Sequence, residues 1–297
     1  MKLVSFGKPG EETPGVWTDK GIIDLQALKP GWAVDWRSVL ATKGLQRVAE
    51  LVDGASAEHL VDPSRVRLGP PIPNPSKVIC IGMNYADHAA EQNKPLPQKP
   101  LLFAKAPTAL CGPEDNIVLP ATEEKPDVEA ELAVVIGKRA RHLKAEDWED
   151  VVAGYMCFND VSGRGAQYGD RQWFRGKSYD TFAPCGPYLL TRDEVTDPHA
   201  LSIGTHVNDF VLQDSSTSNL VIRIPQLLAY ISASMTLLPG DVLATGTPAG
   251  VGVFRDPPRF LKPGDRVVVS IEGLGSLRNN VVAEEVAVAK ETSGSAG

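Results

Sequence analysis

Much is missing from this chain of 297 residues, and each absence removes a class of function. No apolar run approaches the roughly 20 residues needed to cross a bilayer. No signal-like stretch is read either, because Met1 leads straight into the strand-like Leu3-Val4-Ser5-Phe6. Positive charge is in deficit: 30 Lys and Arg stand against 37 Asp and Glu, a formal charge of −7. Neither nucleic acid nor an anionic membrane is therefore an expected partner. Cysteine is scarce, and Cys80, Cys111, Cys157 and Cys185 form no CxxC and lie mostly among apolar or glycine neighbours. That pattern speaks against a zinc or thiolate role and for reduced residues in a cytoplasmic protein. The glycine-rich stretch Thr245 to Gly252 lacks the GK[ST] ending of a phosphate loop, which argues against nucleotide binding. No internal repeat is convincing.

What is present is 42% hydrophobic residues, enough for a substantial core in one large domain or in a main domain with a smaller companion. Residues 1–70 read as a small leading α+β domain. It holds strand-like Val16-Trp17-Thr18 and Ile22 to Leu25, then a helix around Leu45 to Val52 with Leu45, Val48, Leu51 and Val52 on one face. The proline-rich Gly69 to Pro75 reads as an extended connector into a main domain over 71–288, with a flexible tail at 289–297. In the main domain the pattern predicts a helix over Ile224 to Thr236 with Leu227, Leu228, Ile231 and Met235 on its apolar side. The turns Leu238-Pro239-Gly240-Asp241 and Lys262-Pro263-Gly264-Asp265 feed strands at Val242 to Ala244 and Arg266 to Ile271.

Acid chemistry is concentrated where Asp127-Val128-Glu129-Ala130-Glu131 runs into the β-branched stretch Leu132 to Ile136, closed by Gly137. A strand has a side-chain period of two, so Glu129 and Glu131 share a face. Like charges at the mouth of a core need a cation or a shared proton, and a bound metal supplies one; a solvated strand end is the alternative. The next apolar strand, Tyr155 to Asn159, delivers Asp160 at its end. Standing alone it is a turn or helix cap; with the two glutamates it is a third hard oxygen ligand for Mg²⁺ or Mn²⁺. Upstream, Asn84 is a candidate N-cap for a helix on which His88 and Glu91, three apart, are neighbours. A carboxylate beside an imidazole prepares it to take a proton from water, whereas an exposed ion pair needs no function. The proline-rich Asn93 to Pro100 has the makings of a mobile covering loop, and Lys177 lies in a loop dense with glycine and proline.

Several strings, in order over roughly residues 70 to 285, resemble the fumarylacetoacetate hydrolase family. They are Ile81-Gly82-Met83-Asn84-Tyr85-Ala86-Asp87-His88, the Glu129/Glu131 strand, Phe158-Asn159-Asp160, Lys177 to Phe182, and Thr245 to Gly252. The resemblance implies a mainly β, α+β fold: a mixed β-sandwich roll with flanking helices, beside the small N-terminal domain. It implies a homodimer and a Mg²⁺ or Mn²⁺ ion held by Glu129, Glu131 and Asp160. It implies a His88–Glu91 dyad on a segment that orders into a lid, an active-site Lys177, substrate contacts from Arg164 and Gln167, and a substrate carboxylate held at Thr247. Met83 stands where shorter members carry an arginine, and Ser215 and Ser216 where many relatives have glycine. The expected reaction is hydrolytic C–C cleavage of a 2,4-diketo acid of acylpyruvate type to pyruvate and a carboxylic acid. The alternatives on the same site are decarboxylation of a 3-oxo acid such as oxaloacetate and isomerisation of a hydroxymuconate-type substrate.

Overall fold

In the computed structural model, which describes residues 1–29, 31 and 34–285, the apolar run after Glu129 is the strand Ala130–Ile136, buried along all 7 residues. Its side chains alternate between two cores: Leu132, Val134 and Ile136 enter one, Ala133 and Val135 the other. Covered on both faces, the stretch Leu132 to Ile136 is apolar at every position and does not alternate in polarity. Antiparallel neighbours flank it, Val152–Asn159 on one side and Val242–Ala244 on the other. Beyond Val242–Ala244 the sheet continues through the parallel strand Val78–Gly82 to the edge strand Leu101–Lys105.

In the other direction it passes through Ala183–Thr191 to the strands of the leading segment, where Leu3 pairs with Leu189. The first 70 residues thus add four strands to the main sheet, Lys2–Phe6, Thr13–Thr18, Gly21–Asp24 and Leu60–Val61. Trp36, fully buried, ties this end down by donating its indole N–H to Val4 O at 2.6 Å. A second sheet, made of Ile117–Leu119, Ser202–Val207, Phe210–Ser216, Arg266–Ile271 and Gly275–Ala283, covers one core together with the helix Ile224–Ser234. The result is the expected mainly β, α+β sandwich with flanking helices.

One local reading shifts. The helix from Ile224 ends at Ser234, and Met235 takes extended backbone (φ −137°, ψ 150°) at 36% exposure, so it leaves the apolar stripe that Leu227, Leu228 and Ile231 form. Ala145–Val151 forms a 3₁₀ helix. The tail at 289–297 lies outside the described residues.

Candidate active site

The three acids meet because of register. Ala130 pairs with Asn159 and Glu131 with Phe158, so the start of one strand lies beside the end of its antiparallel neighbour. Asp160, the next residue, donates its N–H to Glu129 O at 2.9 Å. Carboxylate oxygens of Glu129, Glu131 and Asp160 lie within 4.8 Å of one another. All three are buried, at 6%, 1% and 0% exposure, which removes the solvated strand end as an explanation.

Cations answer most of this charge. Lys177 Nζ donates to Glu129 Oε2 and Asp160 Oδ2, both at 2.7 Å. Lys105 Nζ, equally buried, donates to Asp160 Oδ1 at 2.6 Å and Val161 O at 3.0 Å. Arg164 places Nη1 2.7 Å from Glu129 Oε1 and directs Nε and Nη2 to Asp127 Oδ2 at 2.9 and 2.8 Å. Four carboxylates therefore face three cations. The one left over is Glu131, which has the Gly246 N–H at 2.8 Å and no basic partner among the described residues.

Burial pushes the Glu131 carboxyl well above the usual range, and the charges of Asp160 and Glu129 push it further. Burial acts the same way on Glu129, but Lys177 and Arg164 outweigh it and hold that carboxyl low. A cluster short of positive charge, with every candidate donor a hard carboxylate oxygen, fits Mg²⁺ or Mn²⁺.

Lys105 was not flagged by the sequence. Its only local signal is a lysine ending the apolar strand Leu101–Lys105. Removing one partner of a buried ion pair strands the other, so Lys105→Met is expected to cost about 3 kcal/mol or more, read as a lower midpoint of thermal unfolding. An unchanged midpoint would show that Lys177 alone satisfies Asp160.

The imidazole comes from the helix Ala86–Glu91. Its N-cap position is Tyr85, which makes no side-chain cap bond, and not Asn84. Asn84 is buried and spans two other segments instead, donating to Ile222 O at 2.9 Å and Thr245 O at 2.8 Å and accepting from Ile222 N at 2.9 Å. His88 is 6% exposed, so the pair with Glu91 is not a surface ion pair. Nδ1 lies 2.5 Å from Glu91 Oε1, and Glu91 Oε2 accepts the Gly250 N–H at 2.9 Å. Gly250 is required there: its φ is +104°, and a Cβ would stand 2.1 Å from Leu212 O.

Ser215 donates to Asp87 Oδ2 at 2.6 Å and fixes the start of the same helix. With Nδ1–H given to Glu91, the free lone pair of His88 is on Nε2, and Gln92 Nε2 stands 2.9 Å from it.

These groups open on one cavity of about 300 Å³. Every sequence-derived site residue lines it except Asp160 and Glu91, which are bonded to Lys177 and His88. Gln167 Oε1 accepts from Arg164 Nη1 at 2.9 Å, while its Nε2 has no partner among the described residues. Thr247 is aimed by a residue the sequence reading missed. The buried Gln213 accepts from Ala130 N and Thr205 Oγ1, and donates to Thr247 Oγ1 at 2.8 Å and Pro248 O at 2.9 Å. Since Thr247 Oγ1 accepts that bond, its own proton is free for a ligand. The four cysteines are buried and unpaired, and burial raises the Cys157 thiol to about 12, so none is poised as a nucleophile.

A charge-deficient nest of carboxylates beside an imidazole backed by a carboxylate combines a place for a divalent ion with a proton-transfer group. Such a site, on a β sandwich, could hold a divalent ion beside a group able to move a proton, which is equipment suited to an enzyme. Residues 77–282 match the profile described as fumarylacetoacetate (FAA) hydrolase C-terminal, and the chain belongs to the fumarylacetoacetate hydrolase family of enzymes. It is 44% identical over 290 residues to the mitochondrial oxaloacetate tautomerase FAHD2A of Bos taurus, covering 95% of this chain and 92% of that protein. Among solved structures it resembles fumarylacetoacetate hydrolase from Exiguobacterium antarcticum (TM-score 0.80, 37% identity, 96% and 100% coverage). It also resembles maleylpyruvate hydrolase from Sphingobium sp. SYK-6 in complex with manganese(II) ion and pyruvate (TM-score 0.79, 34% identity, 96% and 100% coverage).

Proposed function

We propose that this chain interconverts the enol and keto forms of oxaloacetate or a closely related short 2-oxo acid, with His88 moving the proton at the carbon beside the 2-oxo group. The observation that carries the proposal is His88 itself. Of the groups lining the cavity, Glu129, Lys177 and Arg164 are committed to one another or to Asp127 and Asp160, whereas the imidazole keeps a basic nitrogen, with Glu91 fixing its tautomer. The high overall identity to the bovine oxaloacetate tautomerase supports this chemistry over hydrolysis as the first reading.

In this reading Glu129, Glu131 and Asp160 hold Mg²⁺ or Mn²⁺, which when bound supplies Lewis acidity to a 2-oxo carbonyl and its enolate. Thr247 Oγ–H, free to donate, takes the substrate carboxylate. Lys177 spends two of its N–H groups on Glu129 and Asp160 and has a third for the oxygen that gains charge. Gln167 Nε2 is a second such donor, held by Arg164. Arg164, with its forks on Asp127 and Glu129, works through these side chains and not on substrate directly. Phe103 and Trp173, edge to face at 5.2 Å, limit water at one wall. A homodimer, the usual state in the family, belongs to the same proposal and is measured by sedimentation.

Hydrolysis of an acylpyruvate is the second reading, favoured by the short His88–Glu91 contact, because a carboxylate-backed imidazole also activates water. Lys177 and Gln167 would then steady a tetrahedral oxyanion, worth on the order of 3 kcal/mol per donor. Proton NMR of the Mn²⁺-loaded protein with oxaloacetate and with acetylpyruvate, side by side, separates the readings. The expected result is faster enol–keto equilibration of oxaloacetate with no pyruvate above background. Pyruvate and acetate from acetylpyruvate as the faster reaction would move the chain to the hydrolases, and pyruvate from oxaloacetate to the decarboxylases.

A further inference from the structure

The proton-accepting nitrogen of His88 is capped. Gln92, four residues on and on the same helical face, has its amide nitrogen 2.9 Å from His88 Nε2. A neutral imidazole whose Nδ1–H is given to Glu91 accepts at Nε2, so the amide donates into the lone pair that proton transfer needs. Gln92 is half-buried and unbranched, so a rotamer change frees the base without moving the helix.

Two residues further, Lys94 lines the same cavity. The other cations on its wall, Arg164 and Lys177, are buried and held by protein carboxylates at 2.7 to 2.8 Å. Lys94 has no carboxylate partner among the described residues. Its direction follows from the helix end: Asn93 takes a left-handed φ of +51°, the conformation asparagine tolerates best after glycine. Asn93 N–H bonds Ala90 O and Lys94 N–H bonds Ala89 O, each at 3.0 Å, so the helix closes in a turn that satisfies its last carbonyls. Of the other residues that line the cavity, Met83 carries no charge, and Phe103 and Trp173 are apolar. A second carboxylate on a ligand would be desolvated here without a partner unless the Gln92–Lys94 turn received it.

We propose that Gln92 and Lys94 form the subsite for the second carboxylate of a dicarboxylic substrate, and that filling it draws the Gln92 amide off His88. This rests on the reading of the site as one for 2-oxo acids, and it names their class. A dicarboxylate brings its own release of the base; a monocarboxylate leaves His88 capped. Recognition at the far end of the substrate is thereby coupled to proton transfer at C3, so that the correct substrate assembles its own base. Lys94 acts on the ligand directly, while Gln92 is a positioning residue for His88.

The test needs a binding readout that does not depend on turnover. Malate and 2-hydroxybutyrate share the same head group and four-carbon length and differ by a carboxylate in place of a methyl, and neither can tautomerise. Calorimetric titration of the Mn²⁺-loaded protein is expected to give malate at least tenfold tighter binding. In Lys94→Met, and in Lys94→Gln as a second exposed-site variant, that ratio falls toward one. In Lys99→Met, which removes a charge from the same segment outside the cavity lining, the ratio is kept. No preference for malate in the wild type, a ratio unchanged by both Lys94 variants, or an equal loss in Lys99→Met would each overturn the subsite.

For Gln92→Leu the base is uncapped without help from the ligand, so the kcat for C3 proton exchange of a monocarboxylic 2-oxo acid such as 2-oxobutyrate rises toward that of oxaloacetate; a wild-type ratio of the two kcat values overturns the capping role. A malate preference without oxaloacetate turnover keeps the subsite and removes the tautomerase reading. Turnover without a malate preference does the reverse.

Discussion

Replacement of His88 by alanine lowers enol–keto turnover of oxaloacetate by a hundredfold or more, the usual contribution of a positioned general base. The size of the effect follows from what is left behind. Glu91 Oε1 loses its partner but keeps the Gly250 N–H through Oε2, so the helix end stays anchored on the glycine-rich loop. Lys177 does not substitute as a base, since Asp160 and Glu129 hold it charged against burial. Mn²⁺ affinity, measured by titration, is expected to be unaffected, because His88 is not among the three clustered carboxylates. Turnover within tenfold of wild type in His88→Ala would remove the imidazole from the mechanism.

Glu131→Gln carries two effects of opposite sign. Metal-dependent turnover falls to background, as one of three ligands is lost. The metal-free protein, by contrast, becomes more stable at neutral pH. Glu131 is the buried carboxylate with no cation, and a glutamine of the same shape keeps an oxygen for the Gly246 N–H while removing the uncompensated charge. The pH dependence fixes the sign. A carboxyl whose pKa is raised by folding destabilises the fold as pH climbs above its unfolded value, and this penalty vanishes below it. The gain in Glu131→Gln is therefore largest at neutral pH and disappears in acid below the ordinary glutamate value of 4.5. Thermal unfolding with and without Mn²⁺ reads both effects: the ion raises the wild-type midpoint by linkage and leaves the variant's unmoved. A midpoint that drops in the metal-free variant, or a retained Mn²⁺ shift, contradicts the assignment.

The parts of the site legible in the sequence were those set by local periodicity. Alternation along a strand put Glu129 and Glu131 on one face, the end of the next apolar run gave Asp160, and helical spacing joined His88 to Glu91. Lys177, Arg164, Gln167 and Thr247 were reached through the family resemblance, which also gave the sandwich.

What escaped was held by distant partners. Lys105 lies 55 residues from Asp160 on an edge strand, and Gln213 lies 83 residues from the Ala130 amide it accepts. Nothing near either residue marks the contact. Asn84 was misread for a related reason: a polar residue before a helix has the signature of a cap, but hydrogen bonds to Ile222 and Thr245 claimed its side chain. The first three strands of the leading segment were readable, yet Leu60–Val61 and the pairing with Ala183–Thr191 were not, because strand pairing at such separation leaves no local trace.

The most direct measurement is the decay of the oxaloacetate enol absorbance catalysed by the purified protein, before EDTA, after it, and after Mn²⁺ is returned in excess. The expected course is a rate above buffer that falls to the buffer rate with EDTA and recovers with Mn²⁺. A rate indifferent to EDTA, or no rate above buffer in the Mn²⁺-loaded protein, would contradict a carboxylate-held metal working with His88 on this substrate.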